Sequence, residues 1–128
     1  MKYEYEQRTD KVGEFKLIKF KNGQSLAKEG LVLHLERSKD LASQILYFIV
    51  RNQATKINIF EGILLPNTKL EHFMEREENW KLWVVHQKKD KEGKAVNERE
   101  SVKLQFENAE QAKEFQKIVT EPISKKLE

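Results

Sequence analysis

The chain is 128 residues long, 38% apolar and 35% charged, with 24 lysines and arginines against 21 aspartates and glutamates and no cysteine. That length fits a single domain able to bury roughly two thirds of the surface its unfolded form exposes, and the lack of cysteine excludes a disulfide framework and thiolate metal ligation. A net charge of +3 with no concentrated basic stripe in the sequence argues against a nucleic-acid partner, and no apolar run approaches the ~20 residues that span a bilayer.

Residues 1–13 are charged and without clear periodicity, and read as an N-terminal arm. From Glu14 the pattern sharpens: Phe15, Leu17 and Phe20 to one side around Lys16 and Lys19 predict a first strand, broken by the turn pair Asn22-Gly23. Gly30 opens a second strand in which Leu31, Leu33 and Leu35 form the expected core face. Residues 45–50, Ile-Leu-Tyr-Phe-Ile-Val, are a continuous apolar run typical of a central strand covered on both sides. The alternation from Thr55 to Phe60, with Ile57 and Ile59 together, predicts another strand, and Glu61-Gly62 reads as a turn before Ile63-Leu64-Leu65. Pro66 removes a ladder donor, and residues 66–79 read as a long irregular connection tacked down by Phe73 and Met74.

Residues 80–85 predict a sixth strand, in which Trp80 and Trp83, three residues apart, point to opposite faces. The charged stretch from Gln87 to Glu100 buries too little to offset its ordering entropy and is expected to be a poorly ordered hairpin tip. A seventh strand, Ser101 to Phe106, hands over to a helix from about Asn108 to Thr120. Asn108 is its N-cap, Gln111 the reciprocal partner of a capping box, and Ala112, Phe115, Ile118 and Val119 its apolar stripe. Pro122 stops it, leaving residues 122–128 as a C-terminal tail.

Little in the chain suggests catalysis. His34, His72 and His86 share no metal-ligand spacing, the five glycines form no phosphate loop, and no serine sits in a nucleophile motif. Trp80 and Trp83 are the best recognition candidates. Lys16, Lys19, Lys21, Lys28, Arg37, Lys39 and Arg51 suit an acidic partner segment or a phosphorylated headgroup.

Several of these segments resemble the Ran-binding domains, within the pleckstrin-homology-like superfold. Residues 104–115, Leu-Gln-Phe-Glu-Asn-Ala-Glu-Gln-Ala-Lys-Glu-Phe, are similar to the strand ending in Phe and the Asn-Ala-Glu helix start of that family. Residues 15–20 resemble its opening strand, Lys28-Glu29-Gly30 a shortened Trp-Lys-Glu-Arg-Gly motif, Arg51 with Lys56-Ile57 its arginine and Lys-Ile step, and Trp80 the first tryptophan of its Trp-x-Trp strand, where Leu82 takes the second place. The resemblance implies that residues 14–121 form a mainly β domain, a seven-stranded bent antiparallel sandwich or partly open barrel capped by one C-terminal helix. It implies a non-catalytic module, without cofactor, that binds the GTP form of the small GTPase Ran, whose acidic C-terminal segment wraps around the sheet. Lys28, Glu29, Arg51, Lys56 and Trp80 are then the partner-binding residues, and the setting is nucleus or cytoplasm, at the nuclear pore or in nucleocytoplasmic transport. Two other readings stand beside it: an EVH1-like binder of short extended peptides, and a phosphoinositide-binding module using the lysines near Asn22-Gly23.

Overall fold

The computed structural model describes residues 9–23, 25–27, 30–38, 45–65 and 68–120. Among them are seven strands, β1 Thr9–Asn22, β2 Ser25–Ala27, β3 Leu31–Ser38, β4 Leu46–Asn52, β5 Ile57–Leu64, β6 Asn79–Lys89 and β7 Ala95–Phe106, and one helix, α1 Ala109–Thr120. Every pairing is antiparallel, in the order β2-β1-β3-β4-β5-β6-β7, and β7 returns to pair with β1. Six strands therefore close into a barrel. β2 lies outside the ring, on the edge of β1 that β3 also occupies, as the registers Phe20↔Ala27 and Leu17↔Leu31 require. The expectation of a mainly β fold with one C-terminal helix holds; the barrel is closed rather than partly open, because the far end of β1 forms its own ladder with β7.

Alternation explains most of the interior. Leu31, Leu33 and Leu35 of β3 and Leu46, Phe48 and Val50 of β4 line it at 5% exposure or less, and six strands enclose a space that side chains fill. In β1 the spacing of Phe15, Leu17 and Phe20 breaks the period of two. A bulge between Leu17 and Lys19 absorbs the extra residue, turning Ile18 outward at 42% exposure and returning Phe20 to the core. β1 also begins at Thr9, so residues 9–13 of the expected arm belong to the barrel.

Two local readings are corrected. Glu61-Gly62 is no turn: β5 runs straight through it. A Cβ on Gly62 would stand 2.3 Å from Val84 Cγ1 and 2.9 Å from the Val85 carbonyl oxygen, so the glycine marks a close strand crossing. At that crossing β5 and β6 share a single register pair, Ile63↔Val85. The charged stretch after Gln87 is a hairpin, as expected, but its strands run well into it, since β6 and β7 stay in register out to Lys89↔Ala95. Asp90 closes this hairpin, its carboxylate accepting from the Glu92 and Lys94 N–H groups at 2.9 Å each. Composition signalled disorder, but backbone pairing with a neighbouring strand supplies what side-chain burial does not. In the connection before β6, Phe73 is half-buried with Lys103 Nζ 5.6 Å from its ring centre, whereas Met74 is exposed.

α1 forms where expected. The Gln111 N–H donates to Asn108 Oδ1 at 2.9 Å, a cap worth about 1 kcal/mol. The reciprocal half of the box is not made, because Gln111 Oε1 is buried with no hydrogen-bond partner among the described residues. The helix packs on β1, β6 and β7 and adds Ala112 and Phe115, both fully buried, to the barrel core, with Ile118 and Val119 at its margin.

Candidate functional site

The outer wall divides at β1. To one side, β3 and β4 set Lys16, Val32 and Arg51 in one cross-strand row and Glu14, His34 and Ile49 in the next. These rows floor a polar groove of about 440 Å³ whose cations are Lys11, Lys16, Arg51 and Lys56, whose carboxylates are Glu14 and Glu107, and which His34 also lines. The turn after β4 positions Lys56: Asn52 Oδ1 accepts from the Ala54 and Thr55 N–H groups at 3.0 and 3.1 Å, and the Lys56 N–H donates to the Asn52 carbonyl at 2.8 Å. Lys56 itself takes φ 62°, left-handed backbone that a lysine adopts only under constraint. Arg51 is anchored by Nε donating to Asn58 Oδ1 at 2.7 Å.

His34 Nδ1 lies 3.4 Å from Glu14 Oε1, which also accepts from Lys11 Nζ at 3.1 Å. Burial is the main cause holding the His34 pKa below its ordinary value, with Lys11 acting the same way and Glu14 opposing them. The hydrogen bond and charge of Lys11 lower the Glu14 carboxyl. Because the unfolded His34 takes up its proton first, stability is lost as pH falls from about 6.5 and stops falling below the folded-state value. His34→Gln is expected to flatten the loss of thermal stability between pH 7.5 and 5.5, a window above that in which Glu14 titrates; parallel melting curves for both proteins test this, and equal slopes would refute it.

Of the sequence-predicted site residues, Arg51 and Lys56 come together in this groove. Lys28 and Glu29 lie outside the described residues. Trp80 does not join them: it is 4% exposed on β6, its Nε1 donates to the Ala112 carbonyl at 2.8 Å, and His72 stacks on it with ring centres 4.0 Å apart. Its bulk and its one donor are used in holding α1, so a partner does not reach it. Lys11 was hidden in the expected arm, and His34 looked like an ordinary strand residue; only the β1–β3 register gathers them.

To the other side of β1 the register builds a second cationic surface. Lys21 pairs with Lys103, and Lys103 with Lys81, so three lysines stand side by side across β1, β7 and β6. Like charges directly opposite destabilise a sheet. Beside them Trp83, on the face opposite buried Trp80, is 50% exposed, with the Arg99 guanidinium 5.5 Å from its ring centre. An open groove of about 590 Å³ runs here, with Leu65, Trp83 and Val85 as its apolar lining and Lys69, Lys81 and Arg99 as its cations. The described residues contain no group of three or more histidines, aspartates or glutamates placed to hold a metal, and no helix is long and apolar enough to cross a membrane.

A scan against protein-family models and a search of curated proteins each find no match to this chain.

Proposed function

We propose that the protein is a non-catalytic recognition module of pleckstrin-homology-like build, whose outer barrel wall takes carboxylates of a partner protein. The observation that carries this reading is the Arg51–Lys56 groove, where four lysine and arginine side chains face two carboxylates on the sheet. Such an excess of fixed positive charge steers and holds acidic segments more than it serves folding. The resemblance to Ran-binding domains names the candidate partner, Ran in its GTP form, and the groove contains two of the three matching residues that are described, Arg51 and Lys56. Trp80 in this reading holds α1 in place and makes no contact with the partner.

Titration with Ran loaded first with GTP and then with GDP tests the partner. Binding to the GTP form is expected, and Arg51→Glu with Lys56→Glu should weaken it by about tenfold or more, equivalent to ~1.4 kcal/mol or more. Equal affinity for both nucleotide states, or none, removes Ran. Binding that ignores the two charge reversals removes the groove.

A further inference from the structure

We propose that the Trp83 groove is a second recognition site, one that takes an extended peptide carrying a single aromatic or large aliphatic side chain flanked by carboxylates. It lies on β6 and β7, across β1 from the Arg51–Lys56 groove on β3 and β4, and does not depend on the choice of partner there.

The first argument is the exposed apolar surface. Trp83, outward on β6, is 50% exposed and Leu65, just past the end of β5, is 47% exposed on the same groove, with Val85 beside them. An indole so placed offers a flat apolar face at low conformational cost, the property that makes tryptophan a common anchor of binding sites. Arg99 stands against its ring at 5.5 Å, so a ligand side chain laid on the indole has a guanidinium next to it.

The second argument is charge. Lys21, Lys103 and Lys81 are direct cross-strand like charges bordering the groove, and within its lining Lys69, Lys81 and Arg99 surround the apolar patch against one carboxylate, Glu71, which pairs with Lys81 across an isolated bridge. A ligand with carboxylates either side of its anchor relieves that repulsion. Neighbouring strands are about 4.7–4.9 Å apart, so the lysine row spans roughly 10 Å, the reach of three extended residues. A single apolar platform bordered by cations fits a short peptide that carries one apolar anchor between acidic residues.

The experiment uses the whole protein and a labelled pentapeptide, Asp-Glu-Phe-Asp-Glu, followed by fluorescence anisotropy. Binding is expected, weaker by about tenfold when Ala replaces the Phe, and lost when Lys replaces the acidic residues. Trp83→Ala and Lys81→Glu/Lys103→Glu should abolish it, while Arg51→Glu leaves it intact. All these side chains are partly or fully exposed, and an unchanged far-ultraviolet circular dichroism spectrum with a parent-like melting curve verifies the fold. No binding of the pentapeptide at about 1 mM, or binding indifferent to Trp83→Ala, overturns the site. So does a lysine-dependent preference for phosphatidylinositol-bisphosphate vesicles over the peptide, which would assign the surface to a membrane. Because Arg51 and Lys56 are untouched in the decisive variants, failure here leaves the first groove standing, and failure of Ran binding leaves this one.

Discussion

Phe115→Ala is expected to lower stability by about 3–5 kcal/mol, the range for removing a large buried aromatic side chain. Phe115 is fully buried. Its ring meets Phe106 with centres 5.1 Å apart and Phe15 at 6.0 Å with near-perpendicular planes, and those two rings meet each other at 5.7 Å, so one ring from each of β1, β7 and α1 forms a three-way contact. Such edge and tilted pairs add about 0.5–1.5 kcal/mol beyond the area they bury. α1 has twelve residues, too short to persist in water without docking. Phe115 is thus the principal reason the helix exists, and α1 in turn covers Trp80 through the bond from its indole to the Ala112 carbonyl. Losing the ring should expose that indole and shift Trp80 emission to the red along with the drop in denaturation midpoint. Ile118→Ala, at the half-buried margin, should cost clearly less. A loss below about 1 kcal/mol for Phe115→Ala, the level of an ordinary surface change, would show that α1 is not held by this contact.

The helix was legible because everything that specifies it is local: the apolar stripe repeats at three and four, and Asn108 precedes it at cap distance. The leucine face of β3 was legible for the same reason, with period two in place of 3.6, and so was the division of Trp80 and Trp83 between core and surface. What could not be read was partnership. Nothing near Leu17 indicates that it stands opposite Phe106, and that pairing decides between an open sheet and a closed barrel. The lysine row has the same character, since Lys21, Lys81 and Lys103 lie far apart in the chain and become one surface only through two registers. Lys56 was reached by resemblance alone, whereas Arg51 also stood among the basic residues of the early strands. Trp80 was misread as a contact because a tryptophan on a strand gives no sign of whether its indole N–H is used by a partner or, as here, by a helix carbonyl.

Gly62→Ala is expected to destabilise by about 1–3 kcal/mol, the cost of forcing one extra methyl group into a packed interior. The size of the effect depends on what the methyl meets. At Gly62 it would overlap Val84, which is fully buried, and press on the Val85 carbonyl oxygen, which is backbone and cannot swing aside. Val84 is boxed in on β6, so relief requires β5 to move away from β6, and the single pair Ile63↔Val85 is all the ladder that resists such a shift. The substitution should therefore act on the seam of the barrel, and amide exchange should quicken at Ile63 and Val85 before it does along the β6–β7 ladder. Adding Val84→Ala removes one of the two obstacles, so the double variant should be less destabilised than the sum of the single changes, a coupling readable in a double-mutant cycle. Strict additivity, or a Gly62→Ala protein as stable as the parent, would mean that β5 and β6 are not pressed together at this point, and that Gly62 is there for some purpose other than the crossing.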